Sequence, residues 1–232
     1  MTGSLVSPAL RTRVRGLATP IAVALGHLGL TPNALTLIGF LGTCAAALAA
    51  ASQAWLAAGV LVLAFGIFDL FDGTLARATG KVTTFGAFLD STLDRAGEAV
   101  VYVGIAAGAL AGGFDTGAVL AAAALAAAFL VSYVRAKAES LGYAPGSGLA
   151  AIGLAPREVR LTILTFGLVG LGVAGGLGGT TCIDGACVHV FGAGTSTTGE
   201  PILGITLGLI TILATITVIQ RILHVRAQAK EG

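Results

Sequence analysis

Asp69, Asp72, Asp90 and Asp94 stand in one stretch, DLFDGTLARATGKVTTFGAFLDSTLD, inside a chain whose other long segments are almost free of charge. Asp69 and Asp72 are three residues apart and Asp90 and Asp94 four apart, so on helices each pair projects from a single face. Two such faces brought together concentrate carboxylates. Like charges at that density repel unless a cation joins them. Oxygen ligands supplied by two helices suit a hard divalent ion, most simply Mg²⁺. Gly73 follows Asp72 and leaves the backbone open to a ligand. Arg77 lies four residues further on the same face, where a guanidinium can clamp a phosphate, and Thr83 can offer a hydroxyl to the same group. Carboxylates, a metal, an arginine and an open backbone together point to phosphoryl-transfer chemistry on a pyrophosphate.

The elements that must position these residues are membrane helices. The 232 residues are 56% hydrophobic and only 10% charged, with a mean hydropathy of +0.94. Soluble domains carry about 25% charged residues, and apolar runs of about 20 residues span a bilayer as helices. Alternating short strands of the β-barrel type are missing from the pattern. The formal net charge of +2 is too small to imply a nucleic-acid partner.

The expected fold is therefore all-α, a polytopic membrane protein with six spans and an interfacial segment before them. Residues 1–30 form the juxtamembrane segment, with residues 8–28 an amphipathic or irregular stretch at the membrane surface. Residues 31–226 form the six-helix domain, and 227–232 a polar tail. Thr31 is the expected N-cap of the first span, with Pro32 at its first helical position. The spans cover 34–51, 55–78 from the interfacial anchor Trp55, 83–111, 117–141, 157–175 and 201–225. Gly104/Gly108 and Gly204/Gly208 are small-residue pairs of the kind that let helices approach closely. Cys182 and Cys187 fall in an outer loop where a disulfide is expected, and Cys44 is expected to pack as a small apolar residue.

Every Lys and Arg except Arg95 lies in the N-terminal segment, around the 78–82 loop, in the 135–160 region or near the C-terminus. With six spans these all share one side, which basic residues mark as cytoplasmic. The aspartate stretch faces that side, and both termini do too. Asp69, Asp72, Asp90, Asp94, Arg95 and Glu98 each cost a few kcal/mol, roughly, inside a span. Ion pairs of Arg77 or Arg95 with neighbouring acids absorb part of that cost and leave an acidic surplus.

The pattern D-x-x-D-G-x-x-A-R, eight residues, G-x-x-x-D-x-x-x-D is complete in Asp69, Asp72, Gly73, Ala76, Arg77, Gly86, Asp90 and Asp94. It resembles the signature of the CDP-alcohol phosphotransferase family. The resemblance extends to the six-span layout and to Thr31-Pro32-Asn33. It implies a homodimer in the plasma membrane that binds a CDP-linked lipid, CDP-diacylglycerol or an ether equivalent, with the cytidine at the cytoplasmic surface. It implies two Mg²⁺ ions, for which Mn²⁺ could substitute: one on Asp69, Asp72 and Asp90, the second on Asp69, Asp90 and Asp94. By the same resemblance Asp94 is the base for the acceptor hydroxyl, and Pro32, Asn33, Ala34, Leu35, Gly73, Arg77 and Thr83 contact the CDP-lipid.

FLDSTLDR at 88–95, SYVRAKAES at 132–140, PREVRL at 156–161 and IQRILHVR at 219–226 are similar to the actinobacterial phosphatidylinositol phosphate synthase branch. That branch implies that Arg135, Lys137, Arg157, Arg160 and Arg221 hold the phosphate of inositol 3-phosphate. The branch usually has Lys then Arg where this chain has Arg135 and Lys137. An ordinary collar of positive residues at the inner membrane face would also account for these five. A phosphatidylglycerophosphate synthase, with glycerol 3-phosphate as acceptor, would use the same cluster. It would show a PVADK-like segment where residues 91–95 read STLDR. A cation transporter would need polar residues continuing to the outer face, but the outer halves of the spans are nearly pure Ala, Gly, Leu and Val.

Overall fold

The computed structural model describes residues 19–143, 152–177, 181–183, 186–188 and 199–231. Residues 8–18 of the expected interfacial segment lie outside this set. Residues 19–27 are helical (α1). There follow α2 (Pro32–Ala51), α3 (Trp55–Phe68), α4 (Leu70–Ala78), α5 (Thr84–Ala111), α6 (Asp115–Ser140), α7 (Arg157–Val173) and α8 (Gly199–Glu231). Two three-residue strands, β1 (Thr181–Ile183) and β2 (Ala186–Val188), pair antiparallel between α7 and α8 and set the backbone of Cys182 opposite that of Cys187. The side chains of this pair lie outside the described set.

Local signals fix the helix starts. Thr31 accepts a hydrogen bond from the Ala34 N–H at 3.2 Å, with Pro32 behind it in the first turn. Thr83 does the same for Gly86 at 2.9 Å. These are capping devices that satisfy otherwise orphaned N–H groups. The expected second span is two helices in near continuity. Asp69 alone interrupts it, with backbone angles of φ −57° and ψ −18° and its N–H still bonded to Phe65. The helix α8, the expected sixth span, runs past its expected end at residue 225 through the polar tail to Glu231.

Among the described residues, four stretches are long and apolar enough to cross a membrane: Pro32–Ala51, Trp55–Ala78, Asp115–Ser140 and Gly199–Ala229. The helix α5 is long enough, at 28 residues, but Asp90, Asp94, Arg95 and Glu98 interrupt its apolar character. The helix α7 has 17 residues, about 26 Å at 1.5 Å per residue. Both pack within the same bundle. Leu37, Leu41, Leu63, Phe166, Ile205 and Ile212 are among the many large apolar side chains left exposed on its outside. Such a coat suits lipid rather than water.

The helix α2 packs along α5 and α3, α3 along α7, and α6 along α5 and α8. One apolar core runs through these contacts, including Trp55, Val62, Tyr102, Ile105, Leu164, Leu168, Leu203 and Leu207. Trp55, expected as an interfacial anchor, is 2% exposed and belongs to that core. Its ring lies over Gly108 and Gly176, positions without side chains where a bulky indole finds room. A smaller cluster of Ala22, Leu35 and Leu75 ties α1 to α2 and α4.

The two small-residue pairs differ. A Cβ on Gly104 or Gly108 would strike the backbone of Ala47 or Ala50, whereas one on Gly208 meets nothing within 4 Å. Gly104→Val should therefore lower the thermal midpoint in detergent, by an overpacking cost of about 1–3 kcal/mol. Gly208→Val should leave it nearly unchanged; equal losses in the two would contradict this packing.

Candidate active site

The break at Asp69 and the start of α5 bring the four aspartates to one end of the bundle. One carboxylate oxygen from each of Asp69, Asp72 and Asp90 lies within 4.8 Å of the others. Asp72 is buried, 6% exposed, and is held by the Thr36 hydroxyl at 2.7 Å and by the Gly73 backbone N–H. Thr36 thus orients a carboxylate from the neighbouring helix. Three convergent carboxylate oxygens are an oxygen-only donor set, and they fit a hard divalent ion.

Asp94 stands one turn along α5 from Asp90 and outside that trio. Its Oδ1 meets Arg157 Nη1 at 2.8 Å and its Oδ2 meets Arg95 Nη1 at 3.1 Å. The same Arg157 Nη1 meets Asp69 Oδ2 at 2.5 Å. One guanidinium nitrogen therefore joins the two carboxylates. The next acid on this face of α5, Glu98, takes Arg160 of α7 in a bidentate pair. Nε reaches Oε1 at 2.8 Å and Nη2 reaches Oε2 at 2.7 Å, while Nη1 donates to the Ala155 carbonyl at 2.9 Å. Arg160 is 1% exposed and Glu98 7%. A buried pair in which each guanidinium nitrogen is bonded holds α7 to α5, whose backbones are not close neighbours.

A cleft of about 260 Å³ opens beside the aspartate trio, lined in part by Pro32, Asn33, Thr36, Gly73, Arg77, Lys81 and Thr83, with Asp72 and Asp90 at its wall. Five of the seven residues expected to contact a CDP-lipid line it. Ala34 and Leu35 do not, and the Leu35 side chain is 1% exposed in the cluster with Ala22 and Leu75. The reason for the glycines is visible here. A Cβ on Gly73 would lie 3.3 Å from Arg77 Nη1, and one on Gly86 would lie 2.9 Å from Thr83 Oγ1 and 3.3 Å from Asn33 Oδ1. Side chains there would crowd the groups that face the cleft.

Of the five cations expected at the acceptor phosphate, the structure distributes three roles. Arg157 lies on Asp69 and Asp94, and Arg160 is committed to Glu98. Arg221 is 3% exposed and donates to the Ile152 carbonyl at 3.0 Å and the Val131 carbonyl at 2.6 Å, which ties α8 to α6. It stays in the electrostatic field of Arg135 and Arg160. Arg135 forms an exposed pair with Glu139 at 2.9 Å, and Lys137 is exposed beyond it.

A family model described as CDP-alcohol phosphatidyltransferase matches residues 29–190. The chain belongs to the CDP-alcohol phosphatidyltransferase family. An archaetidylinositol phosphate synthase of Pyrococcus horikoshii is 41% identical over 155 residues, 67% of this chain and 78% of that protein. A phosphatidylinositol phosphate synthase of Streptomyces avermitilis is 34% identical over 217 residues, 92% of this chain and 80% of that one. The solved Mycobacterium tuberculosis phosphatidylinositol phosphate synthase with CDP-DAG bound superposes with a TM-score of 0.71 at 27% identity, covering 90% of this chain and 92% of that one. The same enzyme is solved with manganese and citrate, with a TM-score of 0.70.

Thr36 and Lys81 were not among the residues singled out from the sequence of this family member. Thr36 had a signal, since it sits one helical turn beyond Pro32-Asn33. Lys81 had been counted only toward the charge of its loop. Thr36→Val should weaken Mn²⁺ binding by about 10-fold or more, the usual cost of losing a partner of a metal ligand. Titration of the purified protein with Mn²⁺ checks this, and unchanged affinity would remove Thr36 from the support of Asp72.

Proposed function

We propose that this protein transfers the phosphatidyl group of CDP-diacylglycerol to inositol 3-phosphate, releasing phosphatidylinositol phosphate and CMP, at the cytoplasmic face of the plasma membrane. The family and the transfer reaction rest on the comparisons above. The observation that carries the residue assignments is the aspartate trio set against the cleft of Asn33, Gly73, Arg77 and Thr83.

In this reading Asp69, Asp72 and Asp90 hold one Mg²⁺ and Asp69, Asp90 and Asp94 a second. Such ions neutralise a pyrophosphate and ease departure of its leaving group. The oxygens of Asp69 and Asp94 both reach one Arg157 nitrogen, so they are close enough to share a cation. Gly73 lets the pyrophosphate approach the backbone, and Arg77 and Lys81 face it with positive charge. Thr83 keeps its own O–H for a ligand while its oxygen caps α5. Pro32 and Asn33 border the donor's cytidine end, with Ala34 and Leu35 behind them off the cleft. Asp94 accepts the proton of the acceptor hydroxyl, whose oxygen then bonds to the lipid-side phosphorus as the anhydride bond to CMP breaks. Arg135, Lys137 and Arg157 offer charge to the acceptor's phosphate. Arg160 and Arg221 add buried positive charge behind it, with Arg160 bonded to Glu98 and the Ala155 carbonyl.

Six spans place both termini in the cytoplasm, and two copies form a homodimer, as the family resemblance implies. An assay of the purified protein with labelled CDP-diacylglycerol, Mg²⁺ and a panel of acceptors tests the reading. CMP release is expected with inositol 3-phosphate. Release with glycerol 3-phosphate alone would overturn the acceptor, and no release with any acceptor the transfer itself. An ether-lipid donor in the same panel decides which lipid is preferred. Asp94→Asn should abolish transfer and largely spare donor binding. A loss of donor binding as large as that in Asp72→Asn would count against Asp94 as the base.

A further inference from the structure

Arg157 opens α7, and its guanidinium lies in a position that the two-ion reading gives to something else. Nη1 is 2.5 Å from Asp69 Oδ2 and 2.8 Å from Asp94 Oδ1. A divalent ion shared by these carboxylates would sit about 2.1 Å from the same oxygens. The nitrogen and the ion would then overlap, and two cations that close would repel strongly. Arg157 on these oxygens and an ion between them exclude one another.

Two further observations bear on where the guanidinium goes when it leaves. Its Nε is buried and has no hydrogen-bond partner among the described residues, so this seat leaves one donor unused. Its other neighbours restrict its path. Glu98, the next acid, already has both oxygens in the pair with Arg160. A small cavity of about 20 Å³, room for about one water, adjoins Arg157 and is lined in part by Thr43, Gly66, Gly97, Glu98 and Leu161. Arg160, one turn along α7 from Arg157, and Arg135 of α6 both act electrostatically on Arg221 of α8, so positive charge gathers beside the first turns of α7, where an anion would be needed to receive a further arginine.

We propose that Arg157 is a built-in competitor for the second cation position. It neutralises Asp69 and Asp94 until an ion takes them, and it then turns to the phosphate of the acceptor. The inference rests on the two-ion reading and deepens it, because it makes occupancy of the second ion position and binding of the phosphorylated acceptor mutually reinforcing. Coupling of this kind is reciprocal: whatever factor the acceptor adds to ion affinity, the ion adds to acceptor affinity.

The test is Mn²⁺ titration of the full chain in detergent, followed by the electron paramagnetic resonance signal of free Mn²⁺, with no turnover required. Wild type should bind one ion tightly and a second about 10-fold or more weakly, within the usual range of coupling factors. Arg157→Gln should tighten the second ion by a similar factor and the first, which shares Asp69, by less. Inositol 3-phosphate should strengthen the second ion in wild type and not in Arg157→Gln. Two ions in both proteins, with the second unchanged or weaker in the variant, would overturn the competitor role and leave the two-ion reading standing. A single ion in both would instead overturn the two-ion reading on which the proposal rests. If Arg157→Gln loses its cooperative thermal transition, Arg157→Lys decides. Its shorter, single-point charge should tighten the second ion by a few-fold, and no change would count against the role.

Discussion

Carboxylates inside an apolar helix bundle repel one another and lack the water that would make them tolerable. The rest of the structure is organised around that constraint. The helix α5 carries Asp90, Asp94 and Glu98 at four-residue spacing along one face. Each acid on that face meets a different answer. Asp90 joins Asp69 and Asp72 in a trio of oxygens, Asp94 meets Arg157 and Arg95, and Glu98 meets Arg160. The sequence of answers runs from an ion-binding geometry near the end of the bundle to a closed, fully hydrogen-bonded pair in its core.

That gradient separates chemistry from architecture. The Glu98–Arg160 pair is buried and bidentate, and removing one partner from such a pair typically costs about 3–5 kcal/mol because the other is left uncompensated. It anchors α7, and so fixes where Arg157, three residues earlier on the same helix, can reach. Arg221 plays a comparable part for α8 by donating to carbonyls on α6 and on the segment before α7. Two arginines of the basic cluster thus hold helices, and a third sits directly on the carboxylates. The close approach of α2 to α5 through Gly97, Gly104 and Gly108 supplies the rigid backing for this arrangement. Packing of α2 against α4 brings Thr36 within reach of Asp72.

The family likeness to enzymes of phosphatidylinositol phosphate and archaetidylinositol phosphate synthesis is consistent with this division. Relatives named for diacyl and archaeal lipid products both resemble this chain. The cleft beside the trio carries polar groups in Asn33, Arg77, Lys81 and Thr83. The outer faces of the helices offer many large apolar side chains to whatever tails a donor carries. Those faces are suited to hydrocarbon of either kind.

The sequence by itself determined the features that depend on near neighbours along the chain. Thr31-Pro32 and Thr83 could be read as helix starts because capping is settled within one turn. The family signature was legible because its spacing fixes which aspartates share a helical face. Membrane character followed from composition. Only the tertiary structure decided what each charged side chain touches. Arg157, Arg160 and Arg221 look alike in the sequence, and they part ways because Asp94, Glu98 and the Val131 carbonyl come from elements far away in the chain. Trp55 was read as a membrane anchor from its residue type, and it is core because Gly108 and Gly176, distant in sequence, leave a space for its ring. The division has one physical cause: helix starts and faces are set over a few residues, whereas the partner of a buried charge is set by which helices pack together.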